Sequence, residues 1–212
     1  MEKVVERNPV IEKKSVNNIM IALYAFVVIS FFITIVDIII RFPLQSEMID
    51  YNDIQAIVIN VLALLIQIVF FAYGFVNAIR GMLSPKRMGA VIVAFFAATC
   101  ITGTGNMVIN SNVQIVLWWI VLIIPNIVGA VATFAYFVSG KKSKIYSIII
   151  YLAAICGMFR IIYSNYNLIV HANQYLSMNS TVRLVLGIAI HCLVIYQTYV
   201  LWIKRQNAID IS

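Results

Sequence analysis

Charged residues are scarce in this sequence, and that scarcity excludes most classes of protein. Asp, Glu, Lys and Arg make up 11% of the 212 residues, whereas 63% are hydrophobic. An average soluble domain is roughly 25% charged and 45–50% apolar, and a soluble fold of this size has no interior large enough for so many apolar side chains. A water-soluble enzyme, a nucleic-acid-binding protein and a disordered chain are therefore excluded, and nucleic acid is not expected as a partner.

Cysteines and catalytic motifs are also few. The three cysteines, Cys100, Cys156 and Cys192, lie within apolar segments, which is not the pattern of a secreted disulfide framework. Their spacing includes no CxxC, and there is no GxSxG, HExxH or phosphate-binding loop. Asp37 is the one carboxylate within an apolar segment. We therefore expect no enzymatic activity, no catalytic residue, no metal and no cofactor.

Long apolar segments fill most of the remaining chain. A helix that crosses a bilayer needs about 20 mostly apolar residues, and six segments meet this condition. No charge occurs from Met88 to Gly140, a stretch too long for one span, and the polar turn at 110–112 divides it into a hairpin. The predicted fold is a single all-α membrane domain over 1–212, a bundle of six transmembrane helices at about 18–41, 54–80, 88–109, 113–139, 144–164 and 181–203.

The cations predict how these helices are oriented. Twelve of the 15 Lys and Arg residues lie at the two termini or in the second-to-third and fourth-to-fifth connections, which all fall on one side of the bundle. Because Lys and Arg collect in cytoplasmic loops, both termini are predicted to be cytoplasmic. The chain would be a multi-pass protein of the cell membrane, in contact with the lipid bilayer. On the outer side, the loop over 165–180 could include a short interfacial helix.

Polar residues within the predicted spans recur at helical spacing. In the first span, Ser30, Thr34 and Asp37 share one face. The second, third, fifth and sixth spans carry similar stripes. Intramembrane polar side chains face each other or water rather than lipid, and these stripes fall mostly in the outer half. They predict a polar cavity open to the outside. The candidate ligand-binding residues are Asp37, Arg41, Asn60, Gln67, Asn106, Asn126, Arg160, Arg183 and His191.

Arg160 is the predicted anchor of this cavity, because arginine binds carboxylate or phosphate through two parallel hydrogen bonds. Asp37 would orient it, although a purely structural ion pair between these two residues has equal weight. Arg41 and Arg183 would then be available to an anion, but snorkelling of both to the headgroups is the stronger explanation. The Pro125-Asn126 pair predicts either a broken helix at a substrate site or a plain kink.

Two functions remain open at this point. The first is a protein that binds or transports a small polar solute, in particular an anion, alone or as the membrane subunit of a larger transporter. The second is a non-catalytic interaction protein, such as a sensor, an immunity protein or a regulatory subunit, that contacts a partner helix to helix. In either case we expect a partner protein or a homo-oligomer. A closed, water-filled outer cavity would favour the first function, and a polar or small-residue stripe facing lipid would favour the second.

Overall fold

The protein forms a bundle of long helices in a computed structural model that describes residues 9–45, 51–109, 113–171 and 174–209. Side chains are described over 18–36, 58–104, 123–163 and 184–205, together with Gln55 and Thr181. These ranges contain helices and no strand. The elements are α1 Pro9–Gln45, α2 Tyr51–Ile79, α3 Pro85–Ile109, α4 Val113–Thr133, a π-helix Phe134–Val138, α5 Lys144–His171 and α6 Gln174–Ile209.

The apolar parts of these helices have the length of membrane spans. Within the described residues, five segments are long and apolar enough to cross a bilayer, namely Asn18–Val36, Val58–Ile79, Pro85–Thr104, Lys144–Tyr163 and Leu184–Arg205. The apolar segment at the end of α4, Ile123–Val138, is shorter. A helical, multi-pass membrane architecture is thus confirmed. The count of six spans and the cytoplasmic location of both termini stay predictions.

Several helices extend beyond the spans predicted for them. α5 continues to His171 and α6 begins at Gln174, so the predicted outer loop over 165–180 is wrong for most of its length. α1 likewise begins at Pro9, well before the predicted start at residue 18. The physical reason is that hydropathy marks the part of a helix that crosses the bilayer, whereas polar residues continue the helix into the aqueous phase.

The helices close into a ring. Each helix packs against the next along the chain, α6 returns to α1, and α3 touches α6 across the middle. α3 and α6 are the central helices, because 56% and 50% of their apolar segments are buried, against 17–28% for α1, α2 and α5.

Two short turns join neighbouring helices at the same end of the bundle. α2 ends where Gly81 adopts φ +65°, and the π-helix ends before Gly140 with φ +70°; glycine reaches this left-handed conformation without a steric penalty. Ser84 then caps α3, since its Oγ accepts a hydrogen bond from the Arg87 N–H at 3.3 Å, and Pro85 occupies the first helical position. Turns this short make the helices they join antiparallel.

Most of the described cations lie at this end. Eight of the nine Lys and Arg residues with described side chains belong to the two turns or to the adjoining ends of α3, α5 and α6. We call this end the basic end; its cations are Arg80, Lys86, Arg87, Lys141, Lys142, Lys144, Lys204 and Arg205. The ninth cation is Arg160, which lies far from it.

Candidate functional site

Arg160 lies inside the bundle, beyond its middle as measured from the basic end. It is 16 residues after Lys144 on α5, a distance of about 24 Å at 1.5 Å per residue. Its side chain is partly buried, and its guanidinium is within electrostatic range of the Cys100 thiol on α3 and the His191 imidazole on α6. The only described cation away from the basic end therefore faces the two central helices rather than lipid alone.

Among the candidate residues with described side chains, His191 is the most deeply buried, with 1% of its surface exposed. Its Nδ1 lies 2.7 Å from the Gly187 carbonyl oxygen, and because a carbonyl only accepts, Nδ1 carries a proton and donates it. The Phe95 ring of α3 meets the imidazole edge-on, with ring centroids 5.0 Å apart and an interplanar angle of 89°. His191 is thus held on two sides, by its own helix and by α3.

Two glycines let α5 and α6 approach closely around this histidine. A Cβ built on Gly157 would overlap Nε2 of His191, and a Cβ on Gly187 would come within 2.6 Å of Ile161 Cδ1. These contacts place later residues of α5 opposite earlier residues of α6, so the two helices are antiparallel. Small residues that bring backbones together are typical of membrane helix pairs, and here they bring Arg160 and His191 within reach of one another.

Asn126 is the candidate on α4. It is buried, with 6% of its surface exposed, and lies one turn before Gly129. A Cβ on Gly129 would be 2.9 Å from Ala153 Cβ of α5 and from Phe96 Cζ of α3, so this face of α4 is directed at those two helices. We call the group formed by Cys100, Asn126, Arg160 and His191 the Arg160 site.

The predicted break at Pro125 is not present, because α4 continues through this residue to Thr133. Neighbouring helices and small backbone adjustments accommodate proline within membrane helices, so the plain-kink alternative fits better than a discontinuous helix. The irregular turn is instead the π-helix that follows, where Ser139 N–H donates to Phe134 O at 2.9 Å.

Two further candidates lie on α2. Asn60 is exposed and Gln67 is partly buried. Gly74 continues their seven-residue spacing and faces α1, where a Cβ would overlap the Tyr24 ring. Phe71, one turn after Gln67, instead lies beside Phe95 of α3, with ring centroids 6.4 Å apart. This face of α2 therefore contacts both α1 and α3, and the role of Asn60 and Gln67 in ligand binding stays a prediction.

Four candidates have side chains that lie outside the described residues, namely Asp37, Arg41, Asn106 and Arg183. The same is true of every Asp and Glu side chain in the sequence. The predicted pairing of Asp37 with Arg160 therefore stays a prediction.

The hydroxyls in the polar stripes bond to their own helices. Ser30 and Thr34 donate to the backbone oxygens four residues earlier, at 2.8 and 2.9 Å. Thr99 donates to Phe95 O at 2.9 Å, and Thr198 donates to Val194 O at 2.8 Å. Each hydroxyl already has an acceptor, a common solution for Ser and Thr within helices. These four hydroxyls therefore do not need a ligand or water as an acceptor, and the donors left for an anion are those of the amide, imidazole and guanidinium groups.

A buried polar pair lies outside the predicted site. Gln197 Nε2 donates to the Tyr24 hydroxyl across the α1–α6 contact, and both side chains are 0% exposed. Gln197 Oε1 has no hydrogen-bond partner among the described residues. Neither residue was among the predicted site residues, because Tyr24 has a largely apolar ring and Gln197 is six residues from His191, which is not a spacing that puts two residues on one helix face.

Two basic-end cations have structural partners that the sequence does not indicate. Arg205 on α6 donates to Tyr136 O at 2.6 Å and to Lys141 O at 3.0 Å, and its guanidinium carbon is 4.2 Å from the Tyr136 ring centroid. Arg87 donates to Asn77 Oδ1 at 2.8 Å. From the sequence both cations are only topology signals. In the fold, Arg205 hydrogen-bonds to the π-helix and to the turn that follows it, and Arg87 links α3 to the end of α2.

The cysteines do not assemble into a metal site. Cys100 belongs to the Arg160 site, Cys156 is exposed and Cys192 lies on the outer face of α6. Among the side chains given above as described, there is no group of three or more His, Cys, Asp or Glu that could hold a metal ion.

Comparison with protein-family models, with curated proteins and with solved structures finds no match to this chain. Its function must therefore be inferred from the Arg160 site and its surroundings.

Proposed function

We propose that this protein binds a small anionic solute inside the membrane bundle, with Arg160 as the anchor, and that it acts as a transporter or as the membrane subunit of one. The observation that carries the proposal is the position of Arg160, beyond mid-bundle and within electrostatic range of both central helices. An arginine on a lipid-facing surface extends its side chain to the membrane interface, so it would not be expected within electrostatic range of two central helices.

The energetics favour a functional role for this charge. An arginine at the centre of a bilayer costs about 2.5–3.5 kcal/mol on insertion scales, and this value is an upper bound for Arg160, which lies three residues before the end of the apolar segment Lys144–Tyr163. This cost would be offset if the cation binds an anion, which a neutral residue would not attract. The planar guanidinium donors match a carboxylate or a phosphate. The surrounding low dielectric strengthens that attraction relative to water.

The other residues of the Arg160 site would support the anion in different ways. Asn126 would supply an amide donor from α4. His191 would act as a positioning residue, because its ring is wedged between α3, Gly157 and Gly187 and thereby sets the spacing of α5 and α6. The solute would enter from the end opposite the basic end, which is the predicted outer side.

The test uses the purified full chain in detergent and follows its unfolding temperature. The probes are sodium phosphate and sodium succinate, with sodium chloride at matched ionic strength and glycerol as a neutral solute. A ligand present at 100 times its Kd stabilises the native state by about 2.7 kcal/mol, which raises Tm by several degrees for a chain of this length. We expect a rise with at least one anion, its loss in Arg160→Gln and its partial retention in Arg160→Lys.

Arg80→Gln is the matched control, since it removes the same charge from an exposed position at the basic end. It should keep the full shift. An equal shift in the wild type and in Arg160→Gln would refute the assigned anchor, and no shift with any anion would refute the solute class. A partner chain retained at fixed stoichiometry in native mass spectrometry, with no such shift, would favour the interaction-protein alternative.

A further inference from the structure

A groove lined by three tyrosines runs along the face of α6 that points away from the interior of the bundle. Its volume is about 460 Å³, within the range of small-molecule sites. α6 forms the floor, α1 contributes one wall and α5 the other. We call it the tyrosine groove; its lining residues are Leu23, Tyr151, Cys192, Ile195, Tyr196 and Tyr199.

The groove occupies the half of the bundle nearer the basic end. It starts at Cys192, next to His191 in the middle of α6, and reaches Tyr199, about 10 Å further along the helix. Trp202 continues this direction, with its ring centroid 6.5 Å from that of Tyr199. Tyr and Trp favour the boundary between acyl chains and headgroups, so the groove leads from the bilayer centre to a headgroup region.

A cation lies on the same side as the groove at headgroup level. Lys144 precedes Tyr151 by seven residues on α5, two helical turns, so both residues lie on one face of this helix. Lys144 is exposed and lies about 10 Å beyond Tyr151 toward the basic end. With eight of the nine described cations at that end, the surroundings of Lys144 are suited to a negatively charged headgroup.

We propose that the tyrosine groove binds one acyl chain of an anionic phospholipid from the leaflet at the basic end, with the phosphate held at Lys144. The apolar side chains and tyrosine rings would pack against the chain, and Lys144 would select the negative headgroup. This inference does not depend on the Arg160 site, which faces the interior of the bundle from the other half.

The experiment measures which lipid stays bound to the full chain. The protein is reconstituted into nanodiscs with equal amounts of phosphatidylcholine and phosphatidylglycerol, and native mass spectrometry counts the lipids retained on release. We expect one retained phosphatidylglycerol per chain. Cys192→Phe fills the groove and should abolish that retention, whereas Cys156→Phe places the same ring on an exposed position and should preserve it. Ile195→Phe is a second filling variant, used if Cys192→Phe does not fold.

Charge variants separate selection of the headgroup from occupation by the chain. Lys144→Gln should reduce the preference for phosphatidylglycerol about fivefold, the effect of one lysine near an anionic surface. Lys142→Gln, in the preceding turn, should leave the preference nearly unchanged. Arg160→Gln should not alter lipid retention, even if it abolishes solute binding.

Three results would overturn the proposal. The first is retention of lipids in statistical proportion with no response to Cys192→Phe, which indicates exchangeable annular lipid only. The second is equal retention of the two lipids by the wild type. The third is a homodimer that Cys192→Phe dissociates, which would make a second copy of this chain the occupant of the groove.

Discussion

Adding one methyl group at Gly157 perturbs the contact between α5, which carries Arg160, and α6, which carries His191. The new Cβ would overlap Nε2 of His191, and two other interactions hold the ring in place. Its Nδ1 is bound to Gly187 O at 2.7 Å, and the edge-on Phe95 ring is 5.0 Å away between centroids. Gly157→Ala must therefore either push α5 away from α6 or move the imidazole out of both interactions.

The expected loss of stability follows from this lack of space. Inserting a methyl group into a well-packed core costs about 1–3 kcal/mol, which for a chain of this length lowers Tm by roughly 2–12 °C. His191→Ala removes the obstructing ring and by itself costs about 2–5 kcal/mol, as for other large buried side chains. In the double variant, the alanine at 157 no longer meets the imidazole, so the two losses should not add.

The assay is a double-mutant cycle on thermal unfolding in a fixed detergent, with the wild type, Gly157→Ala, His191→Ala and the double variant. Residues in direct contact show interaction energies of about 0.5–3 kcal/mol, and we expect the double variant to be more stable than the sum of the single losses predicts. Cys156→Ala is the control, because Cys156 is the exposed neighbour of Gly157 and its truncation should change stability by less than about 0.5 kcal/mol. Additive losses, or a Gly157→Ala variant as stable as the wild type, would refute the packing of His191 against α5.

Two further variants test the contacts that sequence reasoning missed. Tyr24→Phe leaves the Gln197 amide without its hydroxyl acceptor and should lower the free energy of unfolding by about 1–3 kcal/mol. Tyr24→Phe combined with Gln197→Leu replaces both partners and should be close to neutral in thermal unfolding. A Tyr24→Phe variant as stable as the wild type would contradict the pairing. Arg205→Gln removes the donors to Tyr136 O and Lys141 O, so hydrogen exchange over 134–141 should accelerate, with Lys204→Gln as the control that leaves it unchanged; equal exchange in both variants would contradict the role of Arg205.

Part of the fold followed directly from the sequence. The apolar segments predicted the helices well, because a segment of about 20 apolar residues can satisfy its backbone in a bilayer only as a helix or in a closed barrel. The ends of the helices were predicted poorly. α6 begins at Gln174 rather than at 181, since hydropathy reports contact with lipid and does not mark the end of helical hydrogen bonding.

The candidate site was predicted in pieces. Arg160, His191 and Asn126 were each recognised as intramembrane polar residues. In the fold, His191 lies on the central helix α6, Arg160 lies on α5 and Asn126 is buried on α4. Asn60 and Gln67 were recognised by the same rule, and their stripe continues to Gly74, which faces Tyr24. A stripe fixes the face of its own helix, while the identity of the neighbour on that face depends on how the six helices are arranged.

The chemistry of each polar residue depended on its surroundings in the same way. Thr34 and Thr99 looked like a cavity lining, yet each hydroxyl bonds to the carbonyl four residues earlier. Arg205 looked like an ordinary loop cation, yet it bonds two carbonyls at the end of the π-helix. Sequence shows which donors and acceptors exist, but the distances that pair them are set by packing.

The sequence by itself determined the solvent of this protein and the form of its backbone. With 63% hydrophobic residues and 11% charged residues, the chain is suited to lipid rather than water, because exposing that much apolar surface to water costs too much free energy. In lipid these long apolar segments must form helices, because their backbone polar groups need hydrogen-bond partners within the chain. The tertiary structure alone decided which polar groups meet. Arg160 comes near His191 because Gly157 and Gly187 allow α5 and α6 to approach, and the tyrosine groove forms because α1 and α5 flank α6 without covering its outer face. Both features depend on contacts between helices that are distant in the chain, and helical periodicity carries no information about those contacts.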